Sequence, residues 1–168
     1  MSKKKHQSGS DRIAEAVPDI NADIIINLQG DEPFIKKEPL EKLISLFEDP
    51  AVRVASLMRK ISDKEAEDPN NVKVVVDKNN NALYFSRSPI PFARAGSVQR
   101  YLHVGVYAYR KEALLWFTGC PPSVLEKAES LEQLRFLENE IKIKLAETDY
   151  ITIAIDTPDD LEKARLLL

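Results

Sequence analysis

The sequence has a single cysteine, Cys120, so no internal disulfide framework can form. That is compatible with a reducing cytosol. No apolar run approaches the ~20 residues needed to cross a bilayer as a helix. The 24 basic residues do not outnumber the 27 acidic ones, leaving a net charge of −3. Nothing in that balance recommends nucleic acid or an anionic membrane as a partner. The first ten residues, MSKKKHQSGS, are basic but lack the apolar segment of a signal peptide. Repeats and low-complexity tracts are absent too. What remains is 168 residues, 43% hydrophobic and 30% charged, which is enough chain and enough apolar surface for one globular domain.

The organising stretch is DIIINLQGDEPFI, Asp23 to Ile35. Its apolar run reads as a buried strand bounded by turn residues. Gly30 permits a sharp turn and Pro33 prevents a further ladder. The strand thereby delivers Asn27, Gln29, Asp31 and Glu32 at its carboxyl end, where open α/β sheets bind ligands. Upstream, a short helix is expected to start near Ser10 as its N-cap and to stop at Pro18. Downstream, Leu40, Leu43, Ile44 and Phe47 have helical spacing, and Val52 to Met58 reads as a strand. Val72–Val76 and Ala82–Arg87 form a hairpin around Lys78-Asn79-Asn80-Asn81. Tyr101 to Tyr109 is the longest alternating run. It places Leu102, Val104, Val106 and Ala108 on a core face and His103 and Tyr107 together on the other. Ser123 with Glu126 makes a capping box. Ser130–Glu138 follows as a helix, then strands at Ile141–Ala146 and Tyr150–Ile155, and a helix start at Thr157-Pro158. The expected class is α/β, a mainly parallel sheet with an antiparallel excursion between about Asn71 and Tyr109.

Several groups in this frame can do chemistry. Asp31 and Asp156 each follow a strand, and two converging carboxylates suit a hard cation such as Mg²⁺. Turn formation or capping is the rival role, though Thr157 already supplies the cap beside Asp156. His103, Tyr107 and Arg87 can grip a carboxylate and hydroxyls. A polar sheet surface or a subunit interface explains them equally well. Glu132 and Gln133 begin a helix whose default is a solvated face. Ser8-Gly9-Ser10-Asp11-Arg12 is a small-residue loop that can offer N–H groups to an anion.

The motifs HQSGSDR (6–12), NLQGDEP (27–33), DPNNVKVV (68–75), ALYFSRSPIP (82–91), HVGVYAYR (103–110), PPSVLEKAESLEQLR (121–135) and IDTPDDL (155–161) occur in this order. Together they closely resemble the 3-deoxy-manno-octulosonate cytidylyltransferase family over nearly the whole chain. The resemblance implies a nucleotidyltransferase fold in a single domain, 1–168. It implies transfer of a cytidylyl group from CTP to the sugar acid Kdo, releasing pyrophosphate, for lipopolysaccharide synthesis. It further implies Mg²⁺ on Asp31 and Asp156, and a sugar site of Gln29, Arg87, His103, Tyr107, Glu132 and Gln133. Ser8, Gly9 and Arg12 would serve the nucleotide. A cytoplasmic homodimer paired through the antiparallel excursion is the expected assembly. The family's opening strand and basic loop, PARxxSxRLPxKPL, have no counterpart here, so the chain is expected to be N-terminally truncated relative to the family. A non-catalytic fragment or dimerising module is the alternative.

Overall fold

The computed structural model describes residues 9–28 and 35–151, with Glu162 and Arg165. Its architecture is built on one long strand, β5 (Arg100–Arg110). Strand β1 (Ile24–Asn27) lies antiparallel to the C-terminal half of β5, with Asn27 opposite Tyr107. On the same side of β5, further towards its start, β3 (Lys73–Val76) pairs antiparallel and forms the predicted hairpin with β4 (Ala82–Ser86). The other side of β5 takes β2 (Val54–Ile61), and β2 in turn pairs with β6 (Ile143–Glu147). The α/β class is as expected. The pairing balance differs from the sequence expectation: among the described residues only β2–β6 is parallel. The cause is that β5 runs opposite to every strand it touches.

The hairpin turn is held by Asp77, whose carboxylate accepts from the backbone N–H groups of Asn79 and Asn81, both at 2.8 Å. Asn80 has a positive φ of 58°, a conformation asparagine tolerates. Its carbonyl accepts from the Leu145 N–H at 2.8 Å, so the turn is pinned to β6.

Helices cover both faces of the sheet, and a short helix, α3 (Asp63–Ala66), follows β2. Under α2 (Lys37–Ser45) and the 3-10 turn Leu46–Glu48 lie Leu43, Phe47, Leu57, Val104, Val106 and Ala108. Ile44, placed in the core stripe by spacing, is 44% exposed. The opposite face, expected to be polar, is buried as well. Phe85, Tyr107, Tyr109, Phe117 and Phe136 pack there with α1 (Gly9–Ala16), α4 (Lys111–Gly119) and α6 (Leu134–Glu138). A sheet covered on both sides shows little solvent face, so alternation marks the two faces without saying which one is wet.

Two local expectations change. Ser10 does not cap α1; it sits inside the helix, fully buried, with its hydroxyl turned to another element. The helix expected over Ser130–Glu138 begins only at Leu134. Ser130 ends α5 (Val124–Glu129) in a left-handed conformation, φ 53°. Glu132 and Gln133 therefore occupy a tight turn between two helices and not a solvated helix face. The Ser123 N–H donates to Glu126 at 2.9 Å as expected, while the Ser123 hydroxyl donates to Glu138. Most of the last expected strand, residues 152–155, and the helix start at Thr157 and Pro158 lie outside the described residues. No helix among the described residues is long and apolar enough to cross a membrane.

Candidate active site

The period-two geometry of β5 puts His103, Tyr107 and Tyr109 in file on one face. The rings of His103 and Tyr107 are 5.2 Å apart, those of Tyr107 and Tyr109 5.7 Å. Phe85 packs edge-on to His103 at 5.0 Å. A side chain at Gly105, between His103 and Tyr107, would meet no atom within 4 Å, so there is open space at that point of the strand.

Polar groups converge on this file from distant parts of the chain. The Ser10 hydroxyl donates to Glu132 Oε1 at 2.7 Å. Tyr109 shares hydrogen bonds with Ser10 and with Asn27, the last residue of β1. Gln133, 5% exposed, follows Glu132 in the turn. Two buried oxygens are left without a partner among the described residues, Tyr107 Oη and Glu132 Oε2. An unmade buried hydrogen bond costs about 1–3 kcal/mol, which is why such atoms are scarce in folded proteins. One hydroxyl and one carboxylate oxygen, desolvated and unspent, suit a ligand rich in hydroxyls. On the Glu132 side a cavity of about 370 Å³ is lined by Asp11, Ser130, Leu131, Glu132 and Arg135.

Burial sets the titration here. It pushes the Tyr107 phenol well above its ordinary range, with Tyr109 and Glu132 reinforcing the effect. It pushes His103 down to about 3. His103 is therefore neutral when folded, whereas the unfolded chain protonates it near the ordinary value of about 6.5. Below about 6.5 the unfolded state binds more protons, so stability should fall as pH drops from there towards 3. One such group contributes at most about 1.4 kcal/mol per pH unit. Urea unfolding at pH 7.0 and at pH 5.0, a range above most carboxylate titration, should show this slope in the native chain and a flatter one in H103Q. Equal slopes would remove His103 as its source.

The expected site residues divide into three sets. His103, Tyr107, Glu132 and Gln133 are gathered on or beside one sheet face. Arg87, just past β4, is anchored on the backbone: its Nε donates to the Glu129 carbonyl and its NH1 to the Pro69 carbonyl, both at 3.0 Å. Gly9 opens α1 and Arg12 is exposed on it. Ser8, Gln29, Asp31 and Asp156 are outside the described residues. Three further residues, Tyr109, Asn27 and Ser10, join the site without having been assigned a role there from sequence. Tyr109 carried a usable signal, since it follows Tyr107 by two. Asn27 was visible only as part of a polar cluster. Ser10 reads as a cap in sequence because hydroxyls at helix starts commonly are caps.

The mixed sheet covered by helices on both faces is an α/β fold of nucleotidyltransferase type. The family profile described as cytidylyltransferase matches residues 1–143. A solved structure titled CMP:2-keto-3-deoxy-manno-octonic acid synthetase complexed with CTP superposes with a TM-score of 0.92 at 47% identity, covering 96% of this chain and 68% of that one. The 3-deoxy-manno-octulosonate cytidylyltransferase of Flavobacterium johnsoniae is 52% identical over 174 residues, spanning 100% of this chain and 71% of the relative. The enzyme of that name from Escherichia coli is 48% identical over 170 residues, with 100% and 69% coverage. A 4-diphosphocytidyl-2C-methyl-D-erythritol synthase from Anaerococcus prevotii shares the fold alone, at 17% identity and a TM-score of 0.59. The chain belongs to the cytidylyltransferase family, among the 3-deoxy-manno-octulosonate cytidylyltransferases.

Proposed function

We propose that this chain transfers the cytidylyl group of CTP to 3-deoxy-D-manno-octulosonate, giving the CMP-linked sugar acid and pyrophosphate for lipopolysaccharide assembly. The observation carrying this reading is the pair of unspent buried oxygens, Tyr107 Oη and Glu132 Oε2, in a chain of this family. In the sugar site Glu132 accepts from substrate hydroxyls, Tyr107 offers its phenolic proton, and neutral His103 supplies one ring nitrogen. Gln29, Arg87 and Gln133 complete that site. Arg87 keeps its remaining donors for the sugar carboxylate, its Nε and NH1 being anchored on backbone carbonyls. Ser8, Gly9 and Arg12 belong to the nucleotide side.

Asp31 and Asp156 are the donor set for Mg²⁺, since carboxylates are the ligands a hard cation takes. When bound, that ion neutralises phosphate charge. The residues of the chain hold the sugar acid so that its hydroxyl meets the phosphorus in a fixed orientation. One domain over residues 1–168, a cytoplasmic setting and a homodimer complete the reading. Phe92 and Leu83, 86% and 61% exposed beside the β3–β5 excursion, are the apolar surface a second copy would cover.

Chain supplied with CTP, Kdo and Mg²⁺ should release pyrophosphate, and should do so far more slowly with N-acetylneuraminate. A reversed preference would overturn the substrate. Heat protection by Kdo without pyrophosphate release would favour a binding-only chain. Sedimentation as a single copy would remove the homodimer.

A further inference from the structure

We propose that Ser56 is the positioning residue for His103, holding its ring as the Nε2–H tautomer so that Nδ1 is a hydrogen-bond acceptor for a hydroxyl of the sugar acid. The ligand named here rests on the function proposed above. The Ser56–His103 device does not.

The sheet is irregular beside His103. Pairing of β2 with β5 runs Ser56 to Tyr107 and then Leu57 to Val104, so Gly105 and Val106 have no Cα partner on β2. A bulge of this kind interrupts the ladder and re-aims side chains. Ser56, fully buried, sits at the interruption. Its Oγ lies 3.1 Å from the Val104 carbonyl, 2.9 Å from the Val106 carbonyl and 2.9 Å from His103 Nε2.

A hydroxyl has one proton to donate and lone pairs to accept with. Carbonyl oxygens only accept. If Nε2 were bare, three acceptors would compete for the one serine proton, and both carbonyls would lose it whenever it turned to the ring. If Nε2 carries the proton, it donates to Oγ and the serine proton goes to the carbonyls. Each contact then joins a donor to an acceptor. In a buried site the arrangement that leaves fewer polar groups unmet prevails. The doubly protonated ring is disfavoured by burial, as the downward shift of His103 agrees.

Nδ1 is then the bare nitrogen, and it has no hydrogen bond among the described residues. His103 stands 5.2 Å from Tyr107, whose Oη is also unspent. The two rings therefore offer an acceptor and a donor side by side, with open space at Gly105 between them. A ring flipped to the other tautomer would offer a second donor instead and would repel a hydroxyl proton.

The test is nitrogen-15 NMR of the imidazole rings. The chain has two histidines, so H6Q assigns them. The native chain should show His103 protonated at Nε2, and Kdo alone should move the Nδ1 signal in the direction of hydrogen-bond acceptance. S56A should lose the single-tautomer signature and raise KM for Kdo about tenfold, the worth of about 1.4 kcal/mol. Its KM for CTP should be unchanged. S56T, which keeps the hydroxyl, should restore the tautomer. A native ring protonated at Nδ1 overturns the proposal whether or not any variant folds. So does S56A with an unchanged tautomer and unchanged KM. An Nε2–H ring in a chain that ignores Kdo supports the Ser56–His103 device and overturns the sugar-acid reading instead.

Discussion

R135A is expected to lose about 3–5 kcal/mol of stability, the cost of stranding one half of a buried ion pair. The Arg135 and Glu126 side chains are only 9% and 12% exposed. Arg135 Nε donates to Glu126 at 2.8 Å, and NH2 donates to the other carboxylate oxygen. NH1 donates to the carbonyls of Phe117 and Cys120, both at 3.1 Å, and the guanidinium lies 4.1 Å over the Phe117 ring. One side chain therefore ties the end of α4 and the start of α5 to α6. Burial opposes the Glu126 charge, but the Arg135 and Ser123 hydrogen bonds outweigh it and hold the carboxyl below its ordinary range. For a chain of this size the loss corresponds to a fall in Tm of roughly 10 °C. The double variant R135M/E126M, which removes both charges and keeps volume, should recover much of it. A single variant melting within about 1 °C of the native chain would show that solvent reaches the pair.

E132Q separates binding from stability. Glu132 keeps one oxygen on Ser10 and leaves the other buried without a partner. Glutamine can still accept from Ser10, and it removes a buried charge. Tm should therefore hold or rise. A lost charge-assisted hydrogen bond to a substrate hydroxyl is worth about 1.5–3 kcal/mol, so KM for Kdo should rise roughly 10- to 100-fold. The KM for CTP should stay near the native value. A drop in Tm with sugar KM unchanged would make Glu132 a scaffold residue whose second oxygen serves no ligand. Y107F makes a milder comparison, because the phenol it deletes is neutral.

His103 and Tyr107 were legible as neighbours because strand alternation depends on backbone geometry alone. The hairpin around Asn80 was legible for a similar reason, since its asparagines carry their own turn chemistry. The motif order was enough to suggest the family, and the family profile and the relatives bear that out. The spacing of Leu131, Leu134 and Leu137 continues through Glu132, so sequence alone places it on a solvated helix. Only the left-handed Ser130 breaks the helix there, and serine carries no strong signal for that conformation. Ser56 sat unremarked in an apolar strand.

Local order was therefore determined by the sequence itself: the strands from β1 to β6, the hairpin, the shared face of His103 and Tyr107, and the kinship of the chain. Tertiary structure alone decided which polar groups meet. Ser10 and Glu132 are 122 positions apart, and Ser56 and His103 are 47 apart, yet each pair is in hydrogen-bond contact. Periodicity reports the conformation of neighbouring residues. A buried polar contact depends on two elements excluding water at one place, and that condition exists only once both faces of the sheet are covered.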